Sequence, residues 1–564
     1  MGATAIKYAQ KKPVVPFRSV WDTRNISDGS SDNNQITLPL HLGGLYNFII
    51  NWGDGLEDRI SSYSQPEVTH TYATAGVYEI EIKGTLSGWR FNNTGDRLKF
   101  LSVTTWGCFR PGNLGYYFFG CSNLNLTGVS DVLNLKGTTT LRYMFALCSA
   151  LTSVNRIGEW NTGEITDFNA LFWTASVFNQ SVNNWDTSKV TDMSFVFQKA
   201  TLFNQPLDNW DLSSCTSINN FFHSCSYFDQ NINNWDVSNV SNMQGVFYEA
   251  LVFNQPLDNW DTGNATTMRL MFFNAKSFNQ PIGSWNTENV VDMNNTLSNA
   301  ENFNQNINNW NVSKVLNMQS MFYRAYQFNQ PLNNWDTSNV TDMAQLFGRA
   351  YKFNQPLNNW DTSKVTTMQN TFRGGTDGTM AFNEDISSWD VGNVTNFLSM
   401  FYYNYTFNQP IGSWDMSSAV DITSMFQNAY TFNQPLNSWN VSKVTSMRLL
   451  FNQMPFNHPL NNWDTSSVTR MDYMFQGATS FNQDISMWDF SKVTLIDGFM
   501  NGKTNTNYSK QNYDALLNSL AQQNVQPGLK PFFNTIRYTA AAQAARNYLI
   551  QNKGWTITDG GITT

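Results

Sequence analysis

Tryptophan recurs at a fixed interval through most of this chain. Trp160, Trp185, Trp210, Trp235, Trp260, Trp285, Trp310, Trp335 and Trp360 are each 25 residues apart, and Trp389, Trp414, Trp439, Trp463 and Trp488 continue the series. The longer step to Trp389 coincides with an insertion around Gly374 to Gly378, and the shorter step to Trp463 with a loss near Met454 and Pro455. A unit this short cannot bury its own tryptophan, so consecutive copies must stack and share one core. The period therefore predicts a repeat array rather than a set of globular domains.

One unit, Phe328 to Lys352, reads FNQPLNNWDTSNVTDMAQLFGRAYK. Its apolar positions (Phe, Leu, Trp, Val, Met and a second Phe) supply the interior, each against its copy in the next unit. The Asn after the first Phe recurs at Asn179, Asn204, Asn254, Asn279, Asn304, Asn329 and Asn354, with Asp229 as the exception. Such a column is expected to satisfy backbone groups at a bend. The residue after Trp is Asp in ten units and Asn in four (Asn161, Asn286, Asn311, Asn440). The two types share a short acceptor but not a charge, which points to an Asx-turn or helix cap rather than a cation ladder. The PLNNW segment is the strand candidate, its copies pairing as a parallel sheet. In VTDMAQLF, Val340, Met343 and Phe347 fall near helical spacing, which predicts a helical or 3₁₀ turn.

The unit resembles that of the BspA-like leucine-rich repeat surface proteins, and residues 160 to 500 match it at nearly every fixed position. Upstream, Leu98 to Trp106 reads as a degenerate strand unit and Leu141 to Cys148 as the helical half of a repeat. The resemblance implies a leucine-rich-repeat-type parallel solenoid, mainly β with short helices, of about sixteen units over residues 97–500.

The ends lack the period. Residues 1–12 read as an N-terminal arm. Residues 13–86 contain alternating stretches at Tyr46 to Trp52 and Val77 to Ile82, with Gly53-Asp54-Gly55 as a hairpin turn. Trp52-Gly53-Asp54-Gly55, His70-Thr71-Tyr72 and Gly76-Val77-Tyr78 together resemble a PKD domain, an Ig-like β-sandwich. After Met500, Ser509 to Gln523 and Ala540 to Asn552 read as amphipathic helices and Gly554 to Thr558 as a last strand. Residues 501–564 are thus expected to form an α/β cap over the apolar end of the array.

Composition narrows the function classes. Only 13% of residues are charged and the net charge is −8, with 15% aromatics, so the chain is neither disordered nor built to bind nucleic acid. No apolar run is long enough to span a bilayer, and Met1 to Ser19 has no apolar core of a signal peptide. The odd cysteine count, five, argues against a disulfide framework; Cys121, Cys148 and Cys225 share one sequence context and read as buried repeat residues. Four scattered histidines make no metal site. Acidic residues recur on a lattice instead of converging once, and the unusual pair Glu384 and Asp385 reads as a surface variation. The expectation is a protein with no catalytic residue, no metal and no cofactor.

Function is then sought where the unit varies: after Met, after the second Phe and after Ala. Tyrosines gather there, at Tyr323, Tyr326, Tyr351, Tyr402, Tyr403, Tyr405 and Tyr430. Tyr326, Tyr351, Tyr405 and Tyr430 share one repeat position and are expected to form a column of rings suited to a sugar or a protein anchor. Members of the resembled family are adhesins and surface antigens, which implies recognition of a host-surface glycan or protein. With no export signal read, the expectation is a bacteriophage virion fibre or similar surface component, attached to other virion proteins through its N-terminal region. The alternatives are an exported bacterial cell-surface adhesin and a virion polysaccharide depolymerase.

Overall fold

The structure, a computed structural model, describes residues 14–563, so the arm read over residues 1–12 lies outside the described residues. The chain divides into two compact units, Met1–Asp261 and Thr262–Thr564. Both contain the repeat, and the architecture is mainly β with few helices.

The first unit opens with eight strands: β1 (Phe17–Asp22), β2 (Gln35–Thr37), β3 (Leu40–Asn51), β4 (Glu57–Ile60), β5 (Thr69–Thr71), β6 (Val77–Trp89), β7 (Phe100–Thr105) and β8 (Phe109–Arg110). Six of them form a sheet of order β4-β3-β6-β1-β7, with β8 beside β6, while β2 and β5 pair separately. Alternation explains the sheet. In β6, Ile80, Ile82 and Leu86 are buried while Glu79, Lys83 and Thr85 face outward. Beneath it pack Trp21, Trp89, Phe91, Phe100 and Phe109, with Trp21 edge-on to Phe100 at 4.8 Å.

The Gly53-Asp54-Gly55 turn joins β3 to β4 as read. Gly53 has φ +83°, and a Cβ there would meet the Glu79 carbonyl at 2.5 Å, so only glycine fits. The turn also brings the short motifs together. His70 stacks on Trp52 at 4.7 Å and hydrogen-bonds Asp54 at 2.8 Å, and the Tyr72 hydroxyl donates to the Trp52 carbonyl at 2.9 Å.

Strand β7 is where the sheet meets the repeats. It pairs antiparallel with β1 on one side, and Ser102 forms a parallel bridge with Asn125 on the other. A column of phenylalanines follows: Phe100, Phe118, Phe145, Phe172, Phe197, Phe222 and Phe247 lie 5.5–6.2 Å from one to the next.

The unit Phe328 to Lys352 shows how a repeat is built. PLNNW is not a strand; the parallel contact falls instead on Asp342, which bridges Asn317 before it and Thr367 after it. VTDMAQLF is not helical either. The amides of Met343, Gln345, Phe347 and Arg349 donate to the carbonyls of Thr367, Gln369, Thr371 and Arg373 in the next repeat, while Leu346, Gly348 and Ala350 close tight turns onto Met343, Gln345 and Phe347. Alternate amides thus point along the array and across the turn. This needs left-handed backbone at Gln345 (φ +58°) and Arg349 (φ +60°), and the same two positions are left-handed in neighbouring copies, as at Ser320 and Arg324. Overlapping turns place Val340, Met343 and Phe347 on one side as a helix would, which is why the spacing misled.

The apolar positions are buried as expected, and three ring columns run through the repeats. Phe347 lies on Phe353, the first residue of the next copy, at 4.0 Å; between equivalent positions Phe328 meets Phe353 at 5.9 Å and Trp335 meets Trp360 at 6.1 Å. Fully burying a side chain of this size is worth about 1.5–3 kcal/mol. The Asx reading after Trp holds: Asp336 Oδ1 accepts from the Ser338 amide at 3.1 Å, and Asn311 Oδ1 from Ser313 at 3.1 Å. The Asn column satisfies the backbone of the next copy, Asn329 Oδ1 accepting from the Asn354 amide at 2.9 Å and from Gln355 Nε2 at 3.1 Å.

The second unit ends in two helices, α1 (Lys510–Gln522), capped by Ser509, and α2 (Gln543–Lys553). Gln523, just after α1, donates to the Trp488 carbonyl at 2.8 Å and accepts from the Phe490 amide at 2.7 Å, pairing backbone groups of the last repeat. Gly554 to Thr558 is no strand; only a single bridge joins Thr558 to Phe532.

A tyrosine and arginine flank as the candidate binding surface

The fixed columns of the repeat are consumed by folding: their rings are buried, their Asn amides and Thr hydroxyls bond to the neighbouring copy, and their carboxylates close turns within their own. The positions left to vary follow Met, the second Phe and Ala, around the two left-handed residues. In the second unit these positions carry the tyrosines, all half-buried except Tyr430, which is exposed.

The structure pairs them but does not make one column. Tyr326 stacks on Tyr351 at 5.3 Å with planes 10° apart, and Tyr405 lies 4.8 Å from Tyr430 at 32°. Between the pairs the equivalent residue is Met380, which is buried. The insertion explains the break. Gly375 and Gly378 form a small antiparallel bridge, and a Cβ on Gly378 would lie 2.5 Å from the Tyr351 ring, so the loop folds against that ring. Asp377 at its tip accepts from the Tyr351 hydroxyl at 2.6 Å and from Arg349 at 3.4 Å. Tyr402 and Tyr403 pack edge to face at 4.5 Å, and Tyr403 reaches Tyr405 at 5.8 Å.

Arginines complete the flank, and the sequence reading passed over them. The Arg324 guanidinium lies over the Tyr323 ring at 5.3 Å and that of Arg373 over Tyr402 at 5.1 Å. Their signal was present: Arg324, Arg349 and Arg373 fall in three successive repeats at the variable positions beside the insertion. Electrostatics follow from the contacts. The Asp377 carboxyl is held below its ordinary value, first by the hydrogen bond from Tyr351 and further by the charges of Arg349 and Arg324. The Tyr351 hydroxyl is pushed up by burial and by Asp377. Burial likewise raises Tyr402 and Tyr405.

Other reactive groups are embedded. Cys121, Cys148 and Cys225 are buried free thiols, and burial pushes the Cys215 thiol up to about 12. His223 is lowered to about 4 by burial. Asp385 accepts from the Ser387 amide at 2.8 Å, in an Asx-turn, while Glu384 is half-buried. Among the described residues no three His, Cys, Asp or Glu side chains converge as a metal site would require. A cleft of about 440 Å³ in the first unit is lined by Leu133, Leu135, Lys136, Glu159, Asn161 and Glu164.

Compared with known families, the chain matches the model described as Mycoplasma protein of unknown function, DUF285, six times, over residues 112–225, 139–260, 205–306, 280–378, 376–455 and 444–524. No curated protein and no solved structure matches it.

Proposed function

Because the chain belongs to the family described as Mycoplasma protein of unknown function, DUF285, we propose that it is a non-enzymatic recognition protein that engages a host-surface glycan through its tyrosine flank. Within each unit we read the repeats as a leucine-rich-repeat-type solenoid, the N-terminal strands as a PKD-like, Ig-like module, and α1 and α2 as a terminal cap. The reading covers a virion fibre and a cell-surface adhesin alike, since both need a repeat array whose variable face meets a host surface.

One observation carries the proposal. The repeat commits its fixed side chains to the core and to turns within and between copies, and the half-exposed tyrosines sit at the positions that remain. Tyrosine combines a large rigid ring with a hydroxyl, so it contacts a sugar ring at low entropic cost. The array's recurring carboxylates, by contrast, close local turns, as at Asp336 and Asp385.

The test is a glycan array with the full chain and with a variant carrying Tyr326→Ala, Tyr351→Ala, Tyr405→Ala and Tyr430→Ala. Binding that the variant loses supports the proposal. Absence of glycan binding by the folded protein overturns it in favour of a protein receptor.

A further inference from the structure

We infer that Arg324 and Arg373 form an anion site on this flank, taking the carboxylate or sulfate group of an acidic saccharide. The inference rests on the recognition reading above and names the ligand class.

The repeat itself sets three arginines on successive rungs of one flank. The Arg324 amide donates to the Gly348 carbonyl at 2.8 Å and the Arg349 amide to the Arg373 carbonyl at 2.7 Å. The three arginines therefore sit on adjacent rungs, about 4.8 Å apart per rung. In a chain of net charge −8 with 13% charged residues, this is a local concentration of positive charge. Nearby Glu301 does not offset it, because Lys276 pairs with it at 3.0 Å.

The three are not equivalent. Arg349 is neutralised by Asp377. Arg324 and Arg373 have no carboxylate partner among the described residues, and the Nε atom of each is buried without a hydrogen-bond partner. Buried donors are rarely left unpaired, so the pair is short of an acceptor. Both guanidiniums are also oriented in advance, one over Tyr323 and the other over Tyr402. Gly348 lies between Tyr323 and Arg373 in the same column, and the Tyr323 ring takes the space, 3.0 Å from where a Cβ would stand. A planar fork of donors held in place suits an oxyanion, which accepts two parallel hydrogen bonds. The adjoining tyrosines supply the aromatic surface for the ring that carries it.

Asp377 tunes the site. It occupies Arg349, and its charge also interacts with Arg324. Removing the charge frees one arginine and takes away a repulsion against an incoming anion.

The experiment titrates the full chain with a neutral glucose oligosaccharide, a uronate oligosaccharide and a sulfated oligosaccharide of equal length, at low and at high salt. The expected result is at least about tenfold tighter binding of an acidic ligand, falling as salt rises. The uronate and sulfate arms identify which anion the site prefers. Arg324→Gln with Arg373→Gln should abolish the acidic preference, and Asp377→Asn should strengthen acidic binding severalfold. If the glutamine pair does not fold, Arg324→Lys with Arg373→Lys keeps the charge and loses the fork, and should reduce the preference. Equal binding of neutral and acidic ligands, or a preference that survives the arginine substitutions, overturns the inference. If neutral binding is still lost in the tyrosine variant, the flank reading stands alone; if nothing binds to the folded chain, both fall.

Discussion

Trp335 and Trp360 lie 6.1 Å apart with ring planes 3° from parallel, and each indole N–H reaches back to the repeat before its own. Trp335 Nε1 donates to the Ile307 carbonyl at 3.1 Å, and Trp360 Nε1 to Leu332 at 3.0 Å. The tryptophan is therefore a ring in a column and a hydrogen-bonded tie between copies, which explains why phenylalanine does not substitute for it in the series.

Trp360→Phe should accordingly cost about 1–3 kcal/mol, from the volume lost and from the loss of one of the two hydrogen bonds at the Leu332 carbonyl, which keeps the Trp335 amide as its other donor. Scanning calorimetry would register it as a lowered transition. Because Trp335 and Trp360 share a stack, the double substitution should deviate from the sum of the two singles. Additive effects would mean that the column does not couple neighbouring copies.

The asparagine ladder offers a cleaner test, because nature has placed a substitution in it. Asp229 occupies the column and its Oδ1 accepts from the Asn254 amide at 2.9 Å, as an asparagine would. Asn329→Asp keeps that acceptor and should be mild. Asn329→Ala leaves the Asn354 amide and the Gln355 side chain without it, at about 1–3 kcal/mol. Thermal unfolding of both variants decides; a larger loss for Asp than for Ala would refute the acceptor role.

At the end of the array the left-handed column switches to glycine, and the reason is space. Gly498 has φ +63°, which side-chain-bearing residues such as Leu449 and Tyr473 also adopt. A Cβ on Gly498, however, would lie 2.3 Å from the Tyr473 ring. Gly498→Ala should destabilise by about 1 kcal/mol or more, and Tyr473→Ala in the same chain should recover part of the loss. A cost unchanged by removing the ring would point to backbone strain instead.

How far the sequence could be read follows from the same particulars. The period, the ring columns and the Asx-turn at Asp336 were legible because each recurs with one physical requirement. The strand was misplaced because the parallel contact is a single residue, Asp342, with no alternating pattern to announce it. The helix was misread because Val340, Met343 and Phe347 satisfy helical spacing while Gln345 and Arg349 carry left-handed backbone without any glycine to signal it. On the flank, the shared register of Tyr326, Tyr351, Tyr405 and Tyr430 was visible. That the insertion would press on Tyr351, and that Met380 would separate the pairs, depends on how a glycine-rich loop folds. The arginines are less legible because they share no single register: Arg324 and Arg349 lie two residues after the second Phe, and Arg373 only one.

Lys503, behind the last repeats, makes the stability of this region depend on pH. Its side chain is fully buried and donates to the Phe481 carbonyl at 2.5 Å, over the Phe481 ring at 5.8 Å. Burial lowers its pKa from 10.5 to about 7. Between those values the unfolded chain binds a proton that the folded chain releases, so stability rises with pH across that window and is lowest, as far as this group decides it, below about 7. The full difference corresponds to at most about 5 kcal/mol. Lys503→Met removes the ammonium while keeping a flexible apolar stem. It should raise the transition temperature at pH 6–7 and flatten its dependence on pH up to 9 relative to the unsubstituted chain. Calorimetric scans of both proteins across that range measure the difference, and parallel pH profiles would show that the buried lysine keeps its proton in the fold.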